Sequence, residues 1–190
     1  MEKKSKNLVV LVEGAVIAAV AMALSFVPIE GPNAAFDLSL GLTPLAVYAV
    51  RRGPVPAVAV GAVWGLLHLV TGRAYILTPL QFVFEYPFAF AFGGMFGVCA
   101  KRVRKAMADG GAAVVGWVAL ASVAATASRW FWHFLAGATV WAEYAAGMNP
   151  WLYSLIMNGL SFIGNSVMLV ITMTALTKAA PRIFRVGGEL

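Results

Sequence analysis

The sequence predicts an all-α integral membrane protein with six transmembrane helices. Of its 190 residues, 61% are hydrophobic and 12% are charged, and the mean hydropathy is +0.83. Soluble domains are roughly half apolar and about a quarter charged. Apolar runs of about 20 residues, the length that crosses a bilayer, recur along the chain. We therefore expect residues 1–190 to form a single membrane domain.

Apolar runs separated by Pro, Gly and charged residues predict the six spans in order. The first span, residues 8–27, follows a basic leader and resembles a signal peptide, with small residues at Ala21 and Ala23. Since the apolar run continues through Val27, we expect a retained helix. Asp37 is expected to cap the second span. The remaining spans are predicted at about 37–50, 54–71, 78–100, 112–135 and 151–177.

Of the 14 basic residues, 12 lie on one side of this predicted topology. Three lysines precede the first span, two arginines follow the second, four basic residues follow the fourth and three follow the sixth. The positive-inside rule therefore places both termini in the cytoplasm. The opposite loops, at 28–36, 72–77 and 136–150, carry few charges and are expected to face outside. Topology accounts for the net charge of +6, so no nucleic-acid partner is expected.

Small residues recur four positions apart on three of the spans. This spacing places them on one helical face, where another helix can approach closely. For the glycine pairs we expect packing within the bundle. The alanine pair lies on the first helix, which at the edge of the bundle could offer this face to another protein instead. The pairs are Ala15 and Ala19, Gly61 and Gly65, and Gly93 and Gly97.

Polar side chains are predicted to cluster near the external ends of three spans. Glu85 lies in the outer part of the fourth span, Arg129 and His133 lie one turn apart on the fifth, and Asn158 lies in the outer third of the sixth. Ionisable groups at membrane depth are costly and usually face a cavity or a partner. Tyr153, five positions before Asn158, does not share its face on a straight helix, so the two address different parts of a ligand or one of them is structural.

The segment RWFWHFLAGATVWAEY, residues 129–144, concentrates aromatic and polar side chains. If the helix continues past His133, then Trp130, His133, Gly137 and Trp141 fall within an arc of about 80°. Two indoles, an imidazole and a bare glycine surface would then share one face. A flat ring of a ligand could lie over the glycine and stack on an indole.

A buried carboxylate at Glu85 requires a positive charge or hydrogen-bond donors opposite it. Aromatic faces attract a cation held above them. Together these features favour a small, aromatic, cationic solute as the ligand. The alternative is an internal salt bridge between Glu85 and Arg129, with the tryptophans forming an interfacial belt.

At these residues the sequence resembles the thiamine-specific S components of energy-coupling factor (ECF) transporters, the ThiT family. The resemblance extends nearly from end to end. It is carried by the segments LVEGAVIAAVAMALS, DLSLGLTPL, RRG, WGLLHLVTGRAYILTPLQFVFEYP, HFLAGATVWAEYA and LYSLIMNGLSF. It implies a six-helix vitamin-binding subunit in the cell membrane of a bacterium, with its site near the outside.

The resemblance also implies roles for individual residues. Glu85 corresponds to the carboxylate that faces thiamine, Trp141 to the indole stacked on it, and Ala15 and Ala19 to the motif that docks on the coupling protein. Phe36 stands in the first external loop, where the family can carry a tryptophan lid. The other implied ligand contacts are His133, Tyr153 and Asn158 around the aminopyrimidine, and Tyr75, Tyr86, Trp64 and Gly137 as the remaining lining.

The sequence contains no G-x-x-x-x-G-K-[ST] phosphate-binding loop, so it lacks the usual means of using ATP. The resemblance therefore implies a transmembrane coupling protein and two ATPase subunits as partners, with thiamine as cargo and no cofactor. The alternatives are an S component for another vitamin, a free-standing facilitator and a small intramembrane enzyme. Two histidines on different spans, one cysteine and no H-E-x-x-H motif offer little to an enzyme.

Overall fold

The computed structural model describes residues 2–27, 29–30 and 37–186, with side chains from residue 7 onward. This part of the chain is helical and contains no strand beyond an isolated antiparallel bridge between Glu30 and Asp37. Short 3₁₀ turns follow the fifth and sixth helices. The six helices are α1 (Glu2–Leu24), α2 (Leu42–Arg52), α3 (Pro54–Val70), α4 (Pro79–Asp109), α5 (Ala113–Thr139) and α6 (Pro150–Ala179).

Four of these helices, α1, α4, α5 and α6, are long and apolar enough to cross a membrane, and α3 is apolar but shorter. The helix α2 has only 11 residues, about 16 Å of rise, which is about half of a typical hydrocarbon core. The prediction that Asp37 caps this helix is wrong. Gly41 occupies the N-cap position, because residues 37–39 are held in an extended segment by the bridge to Glu30 and by hydrogen bonds to α6.

The helices α3 and α4 pack with their backbones in direct contact. A Cβ atom built on Gly61 would lie closer than 3.0 Å to the carbonyl of Phe90, and one on Gly65 would meet the carbonyl of Tyr86 equally closely. On α4, a Cβ at Gly97 would collide with the backbone of Pro54. The glycine spacing therefore serves packing within the bundle, as predicted, and it brings the wall of α4 against α3.

A cluster of charged groups joins α1, α2 and the C-terminal segment at one end of the bundle. Glu13 on α1 forms ion pairs with Arg51 and Arg52. Arg51 also donates hydrogen bonds to the backbone carbonyls of Ile183, at 2.6 Å, and Arg185. Since these contacts hold one end of the bundle together, the polar groups at the opposite end are the ones left for another role.

Candidate ligand-binding site

A polar cavity of about 360 Å³ lies among α1, α3, α4, α5, α6 and the segment 37–40, at the end of the bundle away from the Glu13 cluster. Small-molecule sites in proteins have volumes of about 300–1,000 Å³. Its lining brings together Glu85, Arg129, His133 and Asn158, the four polar residues that the sequence places near the outer ends of three different spans. The cavity is therefore the candidate ligand-binding site.

Glu85 occupies a π-helical turn, Phe84–Phe88, within α4. Pro87 lies in the same turn and has no N–H to donate, so regular α-helical hydrogen bonding is interrupted there. Such π-helical turns within α-helices are frequent at functional sites, because the extra residue redirects the side chains. Here the turn places both Glu85 and Tyr86 in the cavity wall.

Neutral groups hold the Glu85 carboxylate. Trp141 donates from Nε1 to Oε1 over 2.9 Å, and Gln81 donates from Nε2 to Oε2. Neither donor carries a charge, so these two contacts supply no positive counter-charge to the carboxylate.

Gln81 is a residue that the sequence reasoning did not assign to the site. Its side chain is fully buried, donates 3.0 Å to the carbonyl of Tyr75 and accepts 3.1 Å from the N–H of Leu77. It therefore ties the α3–α4 loop to Glu85. Tyr86 makes a second tie, since its hydroxyl accepts 2.8 Å from the N–H of Tyr75.

Arg129 does not neutralise Glu85, so the predicted alternative of a salt bridge between them is wrong. Its guanidinium lies over the ring of Phe90, 4.0 Å from the centroid, and 5.7 Å from that of Trp64. Its buried Nη1 atom has no hydrogen-bond partner among the residues the structure describes. The positive charge of Arg129 is accommodated by aromatic faces. Glu85 is therefore left without a positively charged partner among the described residues.

Three further predicted residues of α5 and α6 line the cavity, whereas Gly137 does not. Trp130, His133 and Asn158 line the cavity. Gly137 does not present an open surface to a ligand, because Ser154 and Asn158 lie where its Cβ would be. The glycine instead allows α6 to approach α5 closely, and Asn158 is fixed there by hydrogen bonds of 3.1 and 3.2 Å to Ser154.

Trp141 reaches the site by a different path from the one expected. The helix α5 runs past His133 but ends at Thr139, and Trp141 follows it at the start of a 3₁₀ turn. The N–H groups of Val140 and Trp141 both donate to the carbonyl of Ala136. This turn points the indole toward Glu85 and places its ring 5.6 Å from that of Tyr75.

Five further predicted residues stand apart from the cavity lining. Trp141 contacts Glu85 from outside the lining, and Tyr75 is exposed beside Trp141. Trp64 is fully buried one layer behind it, with its ring 4.6 Å from that of Phe90 and its Nε1 donating to Ser25. Tyr153 is half-buried on α6 and does not belong to the lining. Phe36 lies outside the residues that the structure describes.

The segment 37–39 forms part of the wall, which sequence reasoning missed. Asn165 of α6 accepts 2.8 Å from the N–H of Ser39 and donates 2.6 Å to the carbonyl of Asp37, while Ser161 accepts 3.0 Å from the N–H of Asp37. Burial raises the pKa of the Asp37 carboxyl, although the positive charges of Arg129 and Arg73 act in the opposite direction. The sequence signal for this contact was the pair Ser161 and Asn165, two polar residues four positions apart on an apolar span.

The fold and the site define a membrane-embedded protein with a polar, aromatic-walled cavity for a small solute. Residues 11–185 match the model of the family described as thiamine transporter protein (Thia_YuaJ). The chain therefore belongs to this family of thiamine transporters. It is a transport protein, and the alternative of an intramembrane enzyme is wrong.

Individual relatives agree with this assignment. A thiamine transporter ThiT from Lacticaseibacillus paracasei is 40% identical over 187 residues, which cover 96% of this chain and 93% of the relative. One from Bacillus subtilis is 28% identical over 188 residues, 96% of this chain and 97% of that one. The solved structure of ThiT from Listeria monocytogenes is 40% identical and superposes with a TM-score of 0.89 over 94% of this chain and 98% of that chain.

Proposed function

We propose that this chain is the thiamine-binding S component of an ECF-type uptake transporter and that thiamine binds in the cavity beside Glu85. The main observation that supports this proposal is that two neutral donors, Gln81 and Trp141, hold the Glu85 carboxylate. Glu85 is partly buried in the cavity wall, and a carboxylate removed from water without a counter-charge is costly. Thiamine has a permanently cationic thiazolium ring, which would neutralise the carboxylate at every pH where the latter is ionised.

In this proposal the aromatic groups around Glu85 hold the cationic ring, and the polar groups of α5 and α6 bind the aminopyrimidine. Trp141 and Tyr75 supply adjacent π faces, and Tyr86 lies in the wall beside the carboxylate. His133 and Asn158 face the same cavity and can hydrogen-bond to a heteroaromatic amine. The family resemblance alone supports contacts by Tyr153 and Phe36.

Transport requires partners in this proposal, namely a transmembrane coupling protein and two ATPase subunits. Ala15 and Ala19 support the docking role, because both are exposed on α1 beside the exposed Val16 and Val20, whereas Gly14 and Ala18 face inward. This smooth apolar face suits a second helix in the membrane. The distribution of basic residues supports cytoplasmic termini, with the thiamine cavity opening outside.

Tryptophan fluorescence of the purified chain tests the ligand. Thiamine is expected to quench emission saturably, and Glu85→Gln to weaken binding about tenfold or more, because a hydrogen-bonded or paired charge contributes about 1.5–3 kcal/mol. Glu143→Gln, at an exposed carboxylate outside the cavity, is the matched control. Unchanged affinity in Glu85→Gln, or stronger quenching by riboflavin or biotin than by thiamine, would contradict the proposal, and the second result would favour an S component for another vitamin.

A further inference from the structure

A second cleft, of about 430 Å³, lies at the opposite end of the bundle from the thiamine cavity. It is formed by the α2–α3 turn and the adjoining part of α4. Four of its lining residues are basic: Arg51, Arg52, Lys101 and Arg104. None of the described residues that line it is acidic. The function proposed above does not use this space.

The basic side chains are only partly neutralised. Glu13 lies behind the cleft and pairs with Arg51 and Arg52. Arg104 donates to the backbone carbonyl of Val50, and Lys101 is exposed and makes no side-chain hydrogen bond among the described residues. Among the described residues, Glu13 pairs with two of the four cations and no carboxylate pairs with Lys101 or Arg104, so the excess positive charge favours an anion.

Two exposed valines at the cleft favour a lipid over a soluble anion. Val98 lines the cleft and is 51% exposed, and Val55, beside the lining residue Pro54, is 79% exposed. The 31 residues of α4 span about 46 Å, longer than the hydrocarbon core of about 30 Å. Since the basic residues of α4 begin at Lys101, we expect this residue near the level of the lipid headgroups and the valines toward the acyl chains.

We propose that this cleft binds an anionic phospholipid. Lys101 and Arg104 contact the phosphate, Arg51 and Arg52 contribute further positive charge, and the acyl chains lie against Val55 and Val98. Basic pockets between transmembrane helices bind anionic headgroups through this combination of charge and apolar contact.

Native mass spectrometry of the purified chain tests this site. Phosphatidylglycerol is titrated against phosphatidylcholine with the same acyl chains, using wild type and the Lys101→Gln/Arg104→Gln variant. Each basic residue near an anionic headgroup contributes about fivefold to affinity, so phosphatidylglycerol should bind the double variant about thirtyfold more weakly. Phosphatidylcholine should bind weakly to both proteins.

The same helix provides a matched control, Arg102→Gln/Lys105→Gln. It also removes two cations, but Arg102 lies over the ring of Trp117 and neither residue lines the cleft. This variant should bind phosphatidylglycerol like wild type. Equal loss in both double variants would overturn the proposal, because it would indicate general attraction to a basic surface.

Two further outcomes also decide the proposal. Displacement of the lipid by inorganic phosphate, or equal binding of phosphatidylcholine, would show that the cleft does not select an anionic lipid. If the double variant does not fold, the single variant Lys101→Gln is titrated in its place, because that side chain is exposed. It should weaken phosphatidylglycerol binding about fivefold, and unchanged binding would overturn the proposal.

Discussion

The indole of Trp141 donates a 2.9 Å hydrogen bond to the Glu85 carboxylate. This contact joins the turn that follows α5 to the π-helical turn of α4, 56 residues earlier in the chain. It orients the carboxylate and places an aromatic surface next to it. In the proposed site, the same residue therefore positions the carboxylate and provides an aromatic face beside it.

Trp141→Phe should weaken thiamine binding about tenfold or more. Phenylalanine keeps an aromatic face but cannot donate to the carboxylate, and a hydrogen bond to a charged group contributes about 1.5–3 kcal/mol. Isothermal titration of the purified chain measures the change. The control Trp151→Phe alters an indole that is 49% exposed and should bind thiamine like wild type. Equal affinities in the two variants would remove Trp141 from the proposed site.

Gln81→Leu should lower both thermal stability and thiamine affinity. Leucine leaves the N–H of Leu77 and the carbonyl of Tyr75 without their partner and removes one donor from Glu85. An unsatisfied buried group costs about 1–3 kcal/mol. Leu80→Ala, at a neighbouring side chain that is 54% exposed, is the control. A lower melting temperature with unchanged affinity of the folded protein would mean that Gln81 supports the fold alone.

Asp37→Asn should change how the stability of the ligand-free protein depends on pH. Burial raises the pKa of Asp37 above its ordinary value, against the opposing effect of Arg129 and Arg73. The folded state therefore holds this proton more tightly than the unfolded state, and wild type loses stability relative to the variant as pH rises above about 4. Thermal unfolding across a pH series measures this. The opposite trend would show that attraction to the arginines outweighs burial.

Ala15→Trp should abolish thiamine uptake in proteoliposomes that contain the ECF coupling module, while thiamine binding to the isolated chain stays unchanged. A large side chain on the exposed face of α1 would prevent close helix contact without reaching the cavity. The control Leu160→Trp, at a 50% exposed position on α6, should transport normally. Normal uptake by Ala15→Trp would contradict docking through this face.

Gly61→Ala should destabilise the chain by about 1–3 kcal/mol, because its new methyl group would collide with the carbonyl of Phe90. Gly159→Ala on α6 is the matched control, since a Cβ there meets no atom within 4 Å. That variant should be neutral or more stable by up to about 1 kcal/mol, as alanine favours the helix. Thermal unfolding of both variants in detergent measures the difference, and equal stabilities would contradict the close contact of α3 and α4.

Parts of the cavity were predictable because their signals are local. A glutamate, a histidine and an asparagine within apolar runs are costly unless they face a cavity or a partner, and Glu85, His133 and Asn158 do line one. Gln81 and Asp37 were not assigned to it. Their roles depend on partners in other segments, the α3–α4 loop for Gln81 and α6 for Asp37, and such pairings leave no periodic signal in either segment.

The sequence by itself determined that this chain is an all-α membrane protein with closely packed, glycine-lined helices, because hydrophobic length and small-residue spacing act within single segments. Only the tertiary structure decided that Glu85 accepts from Trp141 and not from Arg129, that Gly137 lies beneath α6, and that Trp64 stands behind Phe90. These outcomes depend on where each helix ends and how it is rotated against its neighbours. Those quantities follow from the packing of all six helices together.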